Sequence, residues 1–217
     1  YRVALNEDYA TTSRKIYLRD FVSTPVSLLN TRRIGGTANQ IEVPEGVSLD
    51  RGQRDVPTDL LGAAKVTGAV GDVRYGVLGA VEDEALWLGK SLLDSPIEVS
   101  GDGRDFGVAR LIYENVGDTR RSLGYMGTFV GGPVYDATVH SVDGHFTSGS
   151  GKLIADAQII TSERSEEQGY GGVFDLMYNV APNLSHKFEI DYMDENINFN
   201  DLGFLRRNDS VSYTHLT

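Results

Sequence analysis

The stretch HKFEIDYMDE, His186–Glu195, alternates polar and large apolar side chains, and it decides which folds are open to this chain. Successive side chains of an extended strand point to opposite sides. The charged residues therefore share one face and the apolar residues share the other, with Lys187, Glu189 and Asp191 opposing Phe188, Ile190 and Tyr192. This period of two predicts a β-strand. It leaves open which face meets solvent.

Composition narrows the classes of protein before any motif is considered. The chain has 217 residues, which is enough for one sizeable domain, and a formal net charge of −11. An acidic chain is a poor partner for nucleic acid, because phosphate binding needs clustered Lys and Arg. The sequence has no cysteine, so disulfide scaffolds, thiolate zinc sites and cysteine nucleophiles are excluded.

The same alternation recurs along most of the chain and predicts at least eight strands in an antiparallel up-and-down meander. We expect a tight turn at Gly71-Asp72, a long connection over Asp83–Arg104, and a hairpin turn at Asp143-Gly144. The segment NINFNDLGFLRR, Asn196–Arg207, is predicted to start a ninth strand. The eight predicted strands are Leu60–Val70, Val73–Glu82, Phe106–Glu114, Ser122–Val130, Val134–Val142, Gly151–Ile160, Tyr170–Val180 and His186–Glu195.

Two architectures fit this pattern, and they assign opposite solvents to the apolar face. In a soluble β-sandwich that face packs on a second sheet, whereas in an outer-membrane barrel it meets lipid and the polar face lines the lumen. Strands of ~9–11 residues, Tyr-rich apolar faces and connections that mostly alternate short and long favour the barrel. The rival is a soluble carbohydrate-binding or hydrolase sandwich, in which Trp87 and Tyr side chains would stack on sugars.

Several stretches resemble the bacterial "domain of unknown function 5916" family: NTRRIGG (Asn30–Gly36), LLGAAKVTGAVGDVRYGVLGAV (Leu60–Val81), FGVARL (Phe106–Leu111) and NDLGFLRRND (Asn200–Asp209). The resemblance implies a β-barrel in a Gram-negative outer membrane. In members of the family, an exported carbohydrate-binding-family-9-like domain typically precedes the barrel. The resemblance implies no reaction.

We therefore expect an all-β fold that is part of an outer-membrane-type barrel, and a chain that is a fragment of the intact protein. Residues 1–58 are predicted to be a pre-barrel segment that forms a plug or first strand. Residues 59–209 are predicted to be barrel strands, and residues 210–217 a non-native tail. The expected partners are outer-membrane lipid and a surface glycan or small substrate, with no nucleic acid.

The candidate site is the predicted lumen wall. For the pair Arg32-Arg33 two interpretations stay open: contact with an anionic substrate or the lumen, or a salt bridge to acidic wall residues. No catalytic residue, cofactor or metal site is predicted. His140 and His145 flank the predicted Asp-Gly turn and lack a third ligand. The lumen-facing candidates are Arg32, Arg33, Lys65, Arg74, Arg110, Glu114, Asp136, His140, Lys152, Asp156, Asp175, Lys187, Glu189 and Asp191.

Overall fold

A computed structural model describes residues 26–37, 40–181, 184–205 and 211–216. The fold is all-β, with 63% of the described residues in strands, and the prediction of an antiparallel meander is confirmed. In chain order the strands are β1 (Val47–Leu49), β2 (Leu60–Val70), β3 (Val73–Glu82), β4 (Ala85–Ser91), β5 (Pro96–Gly101), β6 (Asp105–Val116), β7 (Arg120–Gly131), β8 (Ala137–Thr147), β9 (Leu153–Arg164), β10 (Glu167–Ala181), β11 (Leu184–Met193) and β12 (Val211–Leu216).

Nine of these strands form one antiparallel sheet in the order β12-β11-β10-β9-β8-β7-β6-β3-β2. Each strand of this sheet pairs with its predecessor in the meander, apart from the step from β3 to β6, where β4 and β5 are inserted. The sheet is not closed, which is consistent with part of a barrel. Its two outermost strands in the described residues are β2 and β12.

The first two strands and the Gly71-Asp72 turn lie where the sequence predicts them. Farther along, β9 and β10 extend through most of the polar stretch TSERSEEQ, and the turn is reduced to Ser165 and Glu166. Both turn residues have positive φ, 51° and 69°, as expected of a two-residue hairpin whose twist matches its strands.

The predicted hairpin turn at Asp143-Gly144 is wrong. Both residues lie inside β8, where Gly144 pairs with Leu123 of β7 and Ala157 of β9. Pairing on both sides outweighs the local preference of Asp-Gly for a turn, because strand propensity depends strongly on neighbouring strands. The chain reverses instead after Thr147, in a turn that contains Gly151 at φ +67°.

The predicted long connection over Asp83–Arg104 contains a hairpin of its own. Its strands β4 and β5 join β1 in a three-stranded antiparallel sheet. Trp87 pairs directly with Val99, and both side chains are buried, Trp87 at 2% exposure. The short period-two alternation around Trp87 is the sequence signal for strand β4.

The prediction that NINFNDLGFLRR begins a ninth strand is also wrong in its described part. Residues 197–205 form no strand, and Ile197, Phe199 and Leu202 are buried against the sheet. The ninth strand of the meander is β12, which pairs with β11 from Asp191 to His186. It lies within the stretch that the sequence predicts to be a non-native tail.

The nine-stranded sheet has two rims, which differ in their connections. We define the short rim by the turns 71–72, 117–119 and 148–152, and the long rim by the connections 83–104, 132–136 and 194–205 together with the two-residue turn 165–166. The hydrophobic core lies near the long rim, where residues 26–37 and 194–205 pack on one face of the sheet. These two segments together are named the interior plug, and the face they cover is the inner face.

Candidate functional site: a charged inner face

Strand β11 shows most directly how the two faces of the sheet differ. Its charged residues are buried, Lys187 at 8%, Glu189 at 2% and Asp191 at 8% exposure. Its apolar residues point the other way, with Ile190 at 39% and Tyr192 at 54% exposure. This is the reverse of a soluble sheet, which buries its apolar face.

The other long strands likewise expose apolar side chains, so the outer face is mainly apolar, although it also carries polar side chains such as His140. The inner face carries both the buried charges and the hydrophobic core. On β6 the outer positions between Asp105 and Asn115 are Gly107, Ala109, Leu111 and Tyr113. From Gly107 to Tyr113 these positions span ~20 Å along the strand. Apolar side chains exposed on the outer face include Val77, Leu111, Leu123, Tyr125, Phe129, Val142, Ile159, Tyr170, Phe174, Tyr178, Ile190 and Tyr192.

Polar side chains on the inner face form a row toward the short rim. Consecutive members pair directly across neighbouring strands, so their side chains lie next to one another. The row runs Glu114, Ser122, His145, Asp156, Asp175 and Glu189. Like charges directly opposite one another destabilise a sheet, so the acidic members of the row need compensating partners.

Basic side chains supply that compensation within the described residues. Glu114 accepts from Arg120 at 2.7 Å and lies 2.8 Å from the guanidinium of Arg74. The Lys187 ammonium donates to Glu189 at 2.6 Å. Burial of such charges is tolerated when they are paired and hydrogen-bonded.

His145 makes a further side-chain contact with a carboxylate of the acidic row. Its Nδ1 lies 2.6 Å from a carboxylate oxygen of Asp156, and its Nε2 lies 2.9 Å from the hydroxyl oxygen of Thr147. The Thr147 contact holds the imidazole against the acidic row. This arrangement links β8 to β9 through side chains as well as through the backbone.

A second charged layer lies one step toward the long rim. Arg110 of β6 forms a buried ion pair with Asp143 of β8, reaching over β7. Gly124 of β7 lies between them, and a Cβ there would collide with both the Asp143 carboxylate and the Arg110 guanidinium. The absence of a side chain at Gly124 is therefore what lets this pair form.

The structure places half of the sequence-predicted lumen candidates on the inner face as buried side chains, namely Arg110, Glu114, Asp156, Asp175, Lys187, Glu189 and Asp191. Lys65 and Arg74 share that face through their cross-strand pairs Leu78 and Ile112. Lys65 is exposed, because β2 is an edge strand.

The prediction that His140 shares a face with the other lumen candidates needs correction, because His140 lies on the outer face. The continuous β8 alternates through Ser141 and Asp143, which are buried, so His140 points outward. There its Nδ1 lies 2.8 Å from the hydroxyl of Tyr125, and the two rings stack. His140 and His145 lie on opposite faces, so the two do not approach across a hairpin.

Four other candidates lie off the strands. Asp136 is exposed in the β7–β8 connection and Lys152 is exposed in the β8–β9 turn. Arg32 and Arg33 belong to a 3-10 helix, Thr31–Arg33, in the interior plug. The Arg33 carbonyl accepts from Arg104 at 3.3 Å, and the backbone N–H groups of Arg32 and Arg33 donate to Asn30.

Sequence reasoning missed several residues that complete the inner face. The sequence predicts Asp143 in a turn and His145 beside it, whereas the alternation of β8 continues through both residues. Glu82 and Arg104 were assigned to a strand end and a loop end. They form a buried bidentate pair, with both guanidinium contacts at 2.8 Å.

The interior plug is anchored to the wall by two buried polar clusters. In the first, Glu82 accepts from the Gly35 backbone N–H at 2.9 Å while its partner Arg104 donates to Arg33. In the second, the Tyr135 hydroxyl donates to Asp201 at 2.8 Å, and Arg164 lies 3.6 Å from the same carboxylate. Burial, and then the nearby Asp201 charge, raise the pKa of Tyr135 above its ordinary value of 10.0.

Metal and helix searches cover the described ranges 26–37, 40–181, 184–205 and 211–216. Within them, no group of three or more His, Asp or Glu side chains is placed to hold a metal ion. No helix in these ranges is long and apolar enough to cross a membrane.

Comparisons with known proteins found no matching family model, no curated protein and no solved structure similar to this chain. The class that the fold defines is thus an open antiparallel meander with a charged inner face and an apolar outer face. The family resemblance drawn from the sequence stays a prediction.

Proposed function

We propose that this chain forms part of the wall of a bacterial outer-membrane β-barrel. Its outer face would lie in lipid, and its charged inner face would line an interior that handles a glycan-linked or other polar substrate at the cell surface. The observation that carries the proposal is the reversed polarity of the sheet, with Glu189 buried and Ile190 and Tyr192 exposed. Lipid is the solvent that accepts such an outer face.

The positions of aromatic residues on the outer face support the same conclusion. Tyr170 lies near the long rim of β10 and Tyr178 lies near its short rim. Such positions suit an aromatic girdle, because Tyr is favourable at the level of the lipid headgroups.

The soluble sandwich is less well supported. It would need a second sheet over the outer face, but side chains such as Ile159, at 68% exposure, are uncovered in the described residues. Its suggested sugar-stacking residue Trp87 lies in β4 of the three-stranded sheet and is buried. A buried indole has no free face to offer a sugar ring.

Membrane insertion can be tested by thiol labelling, because the natural chain has no cysteine. Two single-cysteine variants are folded into liposomes: Val142→Cys on the outer face, and Leu92→Cys at the hairpin tip. A membrane-impermeant maleimide should label Leu92→Cys and leave Val142→Cys unlabelled until detergent is added. Equal labelling of both in liposomes, or recovery of the unmodified chain as a monodisperse soluble protein without detergent, would overturn the proposal.

A further inference from the structure

We propose that the interior plug is a movable element that closes the long-rim half of the interior, and that Asp201, Arg164 and Tyr135 form the latch that holds it. The role of this latch in controlling passage rests on the proposed membrane barrel. Its mechanical role does not, because it follows from contacts between the plug and the sheet.

The two segments of the plug are bonded to each other and so can move together. The Asn30 backbone N–H donates to the Leu202 carbonyl at 2.6 Å, and the Phe204 N–H donates to the Ser27 carbonyl at 3.3 Å. Gly203 makes this close approach possible, since a Cβ there would lie 3.0 Å from the Ser27 carbonyl oxygen of the other segment. The segments therefore behave as one layer, although they lie far apart in the sequence.

The plug contacts the wall mainly through side chains, and residues 26–37 and 194–205 are not strands of the nine-stranded sheet. Its apolar residues Leu28, Phe199 and Leu202 are buried in the long-rim core. Its polar contacts with the sheet include the buried hydrogen bonds between Val26 and Gln158 and the Asn198 N–H donating to the Ser162 hydroxyl at 2.9 Å. Releasing it would leave the ladder hydrogen bonds of the wall intact, which is the condition for a local opening.

On β10 the plug lies directly on backbone. A Cβ at Gly169 would collide with the Ile197 backbone, and one at Gly171 would approach the Ile197 Cδ1 to 2.7 Å. The wall presents no side chain at these two positions that would interlock with the plug. The polar clusters therefore add directional contacts to the apolar packing of the plug on the sheet.

The latch joins three parts of the structure: Asp201 in the plug, Arg164 at the end of β9, and Tyr135 in the β7–β8 connection. Arg164 lies over the Tyr135 ring at 4.1 Å and donates to its hydroxyl, which in turn donates to Asp201. Asp201 is buried. Arg164 is 36% exposed and lies 3.6 Å from the Asp201 carboxylate. Asp201→Asn removes the charge that Arg164 faces and weakens the charge-assisted hydrogen bond from the Tyr135 hydroxyl, so it should favour release of the plug.

The test measures how fast a thiol inside the plug becomes accessible in the folded full chain. Ile197→Cys supplies a single buried reporter, and its modification rate is measured with and without Asp201→Asn. The matched control is Asp94→Asn, which removes a carboxylate from the exposed Lys90–Asp94 pair. Asp94 has φ 59°, a conformation that Asn also adopts readily.

We expect Asp201→Asn to raise the modification rate at least about tenfold, and Asp94→Asn to leave it unchanged. Far-ultraviolet circular dichroism should be the same for all variants, because the wall stays folded. An unchanged rate in Asp201→Asn would overturn the latch, and so would an equal rise in Asp94→Asn.

Hydrogen exchange on the unmodified chain gives a second test that needs no substitution. The plug amides of Asn30 and Phe204 should exchange together through a local opening, well before the ladder amides of β8 and β9. Exchange of plug and wall at one common rate would overturn the movable plug. Flotation with liposomes separates this result from the proposed function, since a chain that does not float can still show the plug opening.

Discussion

Arg110 and Asp143 lie 33 residues apart and form a buried ion pair on the inner face, above the backbone of Gly124. The pair joins β6 to β8 across the intervening strand. It shows that the inner face is a built polar layer rather than an accidental cluster of charges. Opposite charges in this layer are matched across strands that the local sequence does not bring together.

Removing one member of this pair should be far more costly than removing both. Arg110→Met leaves the Asp143 carboxylate buried without its guanidinium, and should lower the free energy of unfolding by about 3–5 kcal/mol. Arg110→Met/Asp143→Leu should recover most of that loss. Denaturant unfolding of both variants in detergent micelles measures the difference.

The control for that experiment is the exposed pair Lys90–Asp94. Lys90→Met should change the free energy of unfolding by less than about 1 kcal/mol, because exposed ion pairs contribute little. Equal losses in Arg110→Met and Lys90→Met would mean that the inner face is as hydrated as the hairpin.

A charge on the outer face tests which solvent covers it. Ile159→Lys places an ammonium in the apolar band and should cost about 2–4 kcal/mol of stability in lipid, if the residue lies near the bilayer midplane. The folded fraction after refolding into liposomes, read from heat-modified gel mobility, should fall accordingly. Ser150→Lys, in a turn at the short rim, should have no effect. An Ile159→Lys variant that folds as well as the parent would place this face in water.

Two glycines of β10 form a matched pair for testing the plug. Gly169→Ala places a methyl group against the Ile197 backbone, and should destabilise the folded state by about 1–3 kcal/mol through overpacking. Gly172→Ala places its methyl group on the outer face, where the heavy atom nearest to the new Cβ is the Gln158 carbonyl oxygen at 3.6 Å. That variant should be neutral or slightly stabilising, because alanine reduces the freedom of the unfolded chain. Equal effects on unfolding would argue against close plug contact.

The raised pKa of the latch residue Tyr135 leads us to expect a loss of stability at high pH. Burial and Asp201 raise the pKa of Tyr135 above 10.0, so folding favours the neutral phenol. The resulting stabilisation is complete below the unfolded pKa and is lost as pH rises through the folded one. The stability advantage of the parent over Tyr135→Phe should be constant below about pH 9 and shrink above pH 10. An advantage that stays constant to pH 11.5 would contradict this.

The single tryptophan of the chain is a direct probe of the sugar-binding alternative. Trp87 is buried against Val99, so its emission should be blue-shifted, weakly quenched by acrylamide and insensitive to added oligosaccharides. A Trp87→Phe/Leu92→Trp variant moves the indole to a position that is 87% exposed, and should be strongly quenched. A change in Trp87 emission on titration with a glycan would revive the carbohydrate-binding sandwich.

Many strands of the nine-stranded sheet could be predicted from the sequence, but most of the side-chain contacts between them could not. Strands β2 and β3 and their turn follow from period-two alternation, which is a property of the strand itself. His145 illustrates what was missed, because its contact with Asp156 depends on β8 continuing through Asp143-Gly144. That continuation is stabilised by β7 and β9, and no local pattern reports it.

By itself, the sequence determined that the long strands present different side chains on their two faces, most clearly the charged and apolar faces of β11, because side-chain alternation is built into the extended backbone. The tertiary structure decided which of them turns inward. Burial of Lys187, Glu189 and Asp191 depends on how neighbouring strands and the plug segments assemble around the inner face. The same assembly moved Ile197 and Phe199 from a predicted strand into the core. Such contacts join residues distant in the chain, so the order of amino acids in any short stretch does not reveal them.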